Sequence, residues 1–147
     1  MWRLIGACPP LDENSLYCNL LQCTHFSDTC VVGERNEQVV GWVSGYRPQA
    51  DQGVLFIWQV AVDASARGEG LGKKLVTALL SFKGCAGVTR IQTTITRDNA
   101  ASWALFRSLA NMLNAPLRHE PLFDRDSDFD GLHDTEHLVT IGPFRRG

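Results

Sequence analysis

The chain has 147 residues, a length that fits one domain at about 100–200 residues per domain and suffices to bury a real core. Apolar residues make up 44% and charged residues 20%, which excludes disordered, collagen-like and coiled-coil chains. With 14 Lys and Arg against 16 Asp and Glu the net charge is −2, so there is no general footprint for nucleic acid or an anionic membrane. No apolar run approaches the roughly 20 residues that span a bilayer, and no signal-peptide core is visible. The five cysteines, Cys8, Cys18, Cys23, Cys30 and Cys85, are odd in number and contain no C-x-x-C pair. They read as free thiols of a reducing cytoplasm.

Pro9-Pro10 sets an extended entry to a helix over Asn14–His25. Asp12 or Asn14 can cap it, and Leu16, Tyr17, Leu20 and Leu21 form its apolar side. Thr29–Glu34 and Val39–Tyr46 predict a hairpin across a turn at Arg35-Asn36-Glu37-Gln38. After a polar loop, Arg47–Gly53, comes the strongest strand, Val54–Asp63. Simple alternation puts Val54, Phe56, Trp58, Val60 and Val62 on one face and Leu55, Ile57, Gln59 and Ala61 on the other. Both faces are mostly apolar, which predicts a central strand covered on both sides. A glycine loop, Ala64–Gly72, then opens a helix carrying Leu71, Leu75, Val76, Leu79 and Leu80 on one face. Arg90–Ile95 predicts a strand rich in β-branched residues. Asp98-Asn99 begins a helix through Met112, with Leu105, Phe106, Leu109 and Met112 inward. Beyond Asn114 the expectation is a strand at Ala115–His119, an acidic loop at Pro121–Asp134 and a last strand at His137–Ile141. This order predicts an α/β or α+β domain with a mixed sheet.

The glycine loop carries the chemistry. A strand runs into Asp63-Ala64-Ser65-Ala66-Arg67-Gly68-Glu69-Gly70-Leu71-Gly72-Lys73, which opens a helix. Backbone N–H groups at a helix N-terminus lack intrahelical partners and carry partial positive charge. Glycines let a phosphate approach them closely, and Arg67 and Lys73 add full charge. The physics predicts an anion site, with a pyrophosphate as the natural occupant. The plainer reading is a loop that only turns the chain. The spacing is neither a Walker A loop nor a Rossmann fingerprint.

A second unit, Asp98-Asn99-Ala100-Ala101-Ser102-Trp103-Ala104-Leu105-Phe106, follows the next strand. Together the two resemble the GNAT superfamily of acetyl-coenzyme A-dependent N-acetyltransferases. Arg67, Gly70 and Gly72 match its Arg/Gln-x-x-Gly-x-Gly/Ala motif. Asn99, Ser102, Leu105 and Phe106 match its helix Asn-x-x-Ala/Ser-x-x-Leu-Tyr/Phe. The resemblance implies the GNAT fold, a mixed and mostly antiparallel central sheet flanked by helices. It implies acetyl-coenzyme A as co-substrate and no metal. The implied coenzyme contacts are Gln59, Val60 and Val62 along the strand, Arg67, Gly68, Gly70, Gly72 and Lys73 in the loop, and Asn99 and Phe106 on the later helix. Many members have a tyrosine at Phe106 that protonates the leaving thiolate; phenylalanine cannot donate.

Segments outside these motifs are more specific. Cys8-Pro9-Pro10-Leu11-Asp12-Glu13-Asn14-Ser15-Leu16-Tyr17, Thr24-His25-Phe26-Ser27-Asp28-Thr29-Cys30, Phe56-Ile57-Trp58-Gln59-Val60-Ala61-Val62, Thr93-Thr94-Ile95-Thr96 and Leu122-Phe123-Asp124-Arg125-Asp126 closely resemble the L-2,4-diaminobutyrate acetyltransferase family of the ectoine pathway. That resemblance runs from Cys8 to Ile141. It implies acetylation of the γ-amine of diaminobutyrate by a cytoplasmic bacterial homodimer. It places the substrate on Asp12, Tyr17, Trp58, His133 and Glu136. The candidates for general base are Glu136, Asp12 and His133, in that order. Plainer readings stand beside these: Asp12 as a helix cap, Tyr17 and Trp58 as core, Gln59 as a satisfied polar group, His133 and Glu136 as solvated loop residues. Three alternatives remain: a GNAT enzyme for another small amine or polyamine, a protein N-terminal or lysine acetyltransferase, for which the short chain and acidic loop offer no evident peptide groove, and a non-catalytic acyl-coenzyme A-binding module. Asp126-Ser127-Asp128-Phe129-Asp130-Gly131 begins like a calcium loop, but its twelfth position is His137 where a bidentate glutamate is required. His25, His119, His133 and His137 lack zinc-ligand spacing. In this family a strand and the start of a helix precede the Cys8 segment. Met1 to Ala7 is therefore expected to hold the tail of that helix, with the first strand missing from an N-terminally truncated domain.

Overall fold

The first hairpin turns at Asn36 and Glu37, both at positive φ (51° and 63°), the two-residue geometry whose twist suits paired strands. It joins β1 (Cys30–Arg35) to β2 (Gln38–Tyr46), and β2 pairs antiparallel with β3 (Val54–Val62). The structure is a computed structural model that describes residues 1–9, 11 and 13–145. Contacts divide the chain into two compact units, Met1–Val88 and Thr89–Gly147.

In the first unit Gly33 and Gly41 face each other across β1 and β2. A Cβ on Gly41 would come within 2.6 Å of a Leu75 methyl, and one on Gly33 within 3.2 Å. The missing side chains let α3 (Leu71–Leu80) seat half-buried Leu71 and buried Leu75 against the strands, and the burial of Leu75 is worth about 1.5–3 kcal/mol. This packing fixes the N-terminus of α3 and the glycine loop before it. Opposite, α1 (Trp2–Gly6) buries Leu4 and Ile5, with Cys8, against Cys30, Trp42 and Ala61. Residues Trp2–Gly6 thus form a short helix.

The central strand departs from simple alternation. Ser44 pairs with Gln59, but Gly45 pairs with Ile57, so Trp58 is an extra residue in β3. Such a bulge resets which face each side chain takes. The Tyr46 ring reaches both Phe56 (5.1 Å) and Trp58 (6.3 Å), two residues beyond the Ser44–Gln59 pair. Trp58 and Gln59 thus share a face that alternation assigns to opposite sides. The strand is also not covered throughout: Gln59 is buried, whereas Trp58 is 47% exposed.

The helix α2 (Leu16–Thr24) forms within the expected range, but its cap is Ser15, whose Oγ accepts the Cys18 N–H at 3.1 Å. That replaces Asn14 in the capping role; Asp12, the other expected cap, lies outside the described residues. The helix also faces the other way from its hydrophobic pattern. Asn19 (0% exposed) and Gln22 (2%) point inward, while Leu16, Tyr17 and Leu20 lie exposed.

In the second unit the strands run in the order β4 (Arg90–Ile95), β6 (Glu136–Ile141), β5 (Leu117–Phe123), antiparallel throughout. β5 extends past the expected His119, and nearly all of it is exposed. The helix α4 (Ala100–Met112) buries Trp103, Phe106, Leu109 and Ala110; Met112, expected inside, is exposed near the helix end. All five cysteines are free. Among the described residues no helix is long and apolar enough to cross a membrane.

Candidate active site

The glycine loop begins where β3 ends. Asp63 accepts bonds from the Ser65 N–H (2.9 Å) and Oγ (2.6 Å), which close a short turn and hold its carboxyl below the usual carboxylate range. Gly68 and Gly70 adopt positive φ (79° and 72°), and a Cβ on either would meet nothing within 4 Å. Both residues therefore border open space. Gly70 is the N-cap of α3 and offers no side chain to its first turn, so those N–H groups remain for an external acceptor. Open backbone, positive φ and a helix N-terminus together make a cradle suited to an anion. Gly72 is buried within the first turn of α3, and Lys73 beside it is half-buried.

The charges around the loop are arranged differently from expectation. Arg67 turns back to the strand end, its Nε donating to the Val62 carbonyl at 3.1 Å and Nη2 lying 3.8 Å from Cys8 Sγ. Val62 also accepts from the Cys8 thiol at 3.4 Å, so its carbonyl is engaged within the protein. The loop's own carboxylate, Glu69, is gripped by Arg35 (Nη2–Oε2 2.5 Å, Nη1–Oε1 3.3 Å). That guanidinium holds the Glu69 carboxyl below its usual range and offsets its negative charge beside the cradle. Arg35 reads in the sequence as a mere turn residue; its partner is 34 positions away, and no local pattern announces it.

On the bulged face of β3, Trp58 stands exposed beside Tyr46 and Phe56. Gln59 is buried, and its Oε1 accepts from Asn14 Nδ2 at 2.8 Å. Val60 is half-buried and pairs with Val43. Tyr17, on α2, is 71% exposed. Trp58 and Tyr17 are thus available surfaces and not core.

In the second unit Asn99 caps α4, its Oδ1 accepting the Ser102 N–H at 3.1 Å, and Phe106 is buried. His133 and Glu136 come together, with Nε2 3.9 Å from Oε1. His133 Nδ1 lies 2.7 Å from the Asp134 carbonyl, an acceptor, so Nδ1 carries a proton and Nε2 faces the carboxylate. The Phe129 ring, 4.8 Å away, shields one side of the imidazole. The preceding acidic residues are used locally: Asp124 accepts from the Asp126 and Ser127 N–H groups, and Arg125 pairs with Asp134 at 3.5 Å. Among the described residues no group of three or more His, Cys, Asp or Glu could hold a metal ion. Asp12 lies outside the described residues.

The sequence model of the acetyltransferase (GNAT) family matches residues 2–110. The chain is 48% identical over 143 residues to the L-2,4-diaminobutyric acid acetyltransferase of Methylotuvimicrobium alcaliphilum, covering 97% of this chain and 83% of the relative. It is 47% identical over 146 residues to that of Halomonas elongata, covering 99% and 76%. Among solved structures it resembles the diaminobutyrate acetyltransferase EctA from Paenibacillus lautus, in complex with L-2,4-diaminobutyric acid and coenzyme A. The TM-score is 0.93 at 37% identity, covering 99% of this chain and 89% of the other. A likeness of that extent shows the GNAT α/β fold, with its mixed sheet flanked by helices. The chain therefore belongs to the acetyltransferase (GNAT) family and, within it, to the L-2,4-diaminobutyric acid acetyltransferases.

Proposed function

We propose that the chain transfers the acetyl group of acetyl-coenzyme A to the γ-amine (N4) of L-2,4-diaminobutyrate, giving N-γ-acetyl-2,4-diaminobutyrate for ectoine biosynthesis. The observation that carries this reading is the likeness, over nearly the whole chain, to a diaminobutyrate acetyltransferase solved with that amino acid and coenzyme A. The open cradle at Gly68 and Gly70 supports it from this chain's own geometry. The coenzyme's pyrophosphate sits on the loop Arg67–Lys73, with Gln59, Val60, Val62, Asn99 and Phe106 contacting the rest of the coenzyme. Asp12, Tyr17, Trp58, His133 and Glu136 bind diaminobutyrate.

An alkylammonium has a pKa near 10.4, so freeing its lone pair at pH 7 costs about 4–5 kcal/mol. Glu136 takes that proton, directly or through water, and the His133 contact at 3.9 Å orients it. The neutral nitrogen attacks the thioester carbonyl, whose developing oxyanion is met by a backbone N–H near Val60. The nitrogen loses its second proton as the C–S bond breaks, and coenzyme A leaves as thiolate or protonated by water or another group, because Phe106 has no proton to give. Positioning the two substrates together supplies most of the rate. The exposed apolar side of α2 supports action as a homodimer, and the five free thiols support a cytoplasmic setting.

The test is free-thiol release from acetyl-coenzyme A. Release that requires diaminobutyrate, and is weak with ornithine, lysine or putrescine, is the expected result. Equal release with putrescine would favour a general polyamine acetyltransferase. Coenzyme binding with no amine-dependent release would favour a non-catalytic module.

A further inference from the structure

Three observations in the first unit converge on one residue. First, α2 is held weakly by its inner face. Asn19 and Gln22 are buried there, and their amide nitrogens and oxygens have no hydrogen-bond partner. A polar face buried without partners gives no apolar attraction and costs desolvation. Second, Tyr17 sits in the first turn of this helix with its ring mostly in solvent, so packing does not fix it. Third, the residue just before the Ser15 cap makes a long-range bond: Asn14 Nδ2 donates to buried Gln59 Oε1 at 2.8 Å, across 45 positions. The bulge puts Gln59 on the same face as its neighbour Trp58.

We infer that Asn14 is a positioning residue for the amino-acid substrate. Its bond to Gln59 pins the start of α2 to the bulged part of β3, and so fixes where Tyr17 is presented relative to Trp58. This rests on the proposal that Tyr17 and Trp58 hold diaminobutyrate. Asn14 acts through them and touches no reacting atom. The bond sits on a strand segment apart from the glycine loop; Gln59 is also among the proposed coenzyme contacts, so the effect on the amine substrate should exceed that on the coenzyme without excluding it.

The experiment compares Asn14→Leu and Asn14→Asp with the unaltered chain by steady-state kinetics for each substrate. Leucine cannot donate and removes the bond to the buried Gln59 oxygen. KM for diaminobutyrate is expected to rise about tenfold or more, and KM for acetyl-coenzyme A by clearly less. Preference for diaminobutyrate over ornithine should fall with it. Aspartate keeps the size of the side chain but cannot donate, and should show the same loss as leucine. Should Asn14→Leu not fold, Asn14→Ser, too short to reach Gln59, carries the same test. Unchanged KM for diaminobutyrate, or an equal rise for both substrates, would overturn the inference. An unaltered chain that does not acetylate diaminobutyrate would defeat the proposed function instead. Hydrogen exchange then decides on Asn14: faster exchange confined to α2 in Asn14→Leu supports the positioning role, and unchanged exchange overturns it.

Discussion

Replacing Gly70 with valine tests the anion cradle against its plainer reading as a chain turn. Gly70 sits at φ 72°, a region where a side chain costs about 1–2 kcal/mol. A Cβ there meets nothing within 4 Å, so strain is the whole cost to the fold. For a chain of this size that corresponds to a fall of about 2–8 °C in melting temperature. Gly87 provides a matched control, because its φ is 77° and a Cβ there also meets nothing within 4 Å. Gly87→Val should lose similar stability and keep its affinity for acetyl-coenzyme A. Gly70→Val places two methyl groups where the phosphates approach the backbone, and should lose at least about tenfold, or 1.4 kcal/mol, of that affinity. Calorimetric titration with coenzyme A, beside thermal melts of both variants, separates the two effects. Equal coenzyme affinity in Gly70→Val and the unaltered chain would refute the cradle; equal losses in the two variants would reduce the effect to strain.

Glu136→Gln should lower kcat by about 10²–10⁴ with little change in coenzyme affinity, as pre-steady-state thiol release would record. Arg35→Ala should barely move the melting temperature, since the Arg35–Glu69 pair is exposed, but should weaken coenzyme binding at low salt by freeing the Glu69 charge. Titrations at low salt and at about 0.5 M salt should converge if charge is the cause. Burial pushes the Cys30 thiol up from 9.0 to about 11. The folded chain therefore holds that proton more tightly than the unfolded one. The resulting stability is intact below pH 9 and lost as pH rises from 9 to about 11, and Cys30→Ala should flatten that slope in denaturant melts.

Much of the fold is legible locally. The strand Arg90–Ile95 and the start of α4 at Asn99 follow from β-branched runs and a capping side chain, signals that act within a few residues. The glycine loop is legible for the same reason. What escapes the sequence is set by partners far along the chain. The bulge at Trp58 is invisible in β3 itself, because it arises from the register that β2 imposes. The inversion of α2 defeats periodicity, which locates an apolar side without saying whether protein or something else covers it. Arg35 and Asn14 draw their meaning from Glu69 and Gln59, which only folding brings near.

Among the described residues the outlying strand β5 pairs only with β6. Its other edge is a row of backbone groups onto which a second strand could stack without limit. Pro121 has no N–H to offer such a visitor, and the exposed charges of Arg118 and Glu120 oppose a flat, apolar approach. The strand carries none of the proposed catalytic roles. Its sequence instead acts against edge-to-edge aggregation when many copies crowd together.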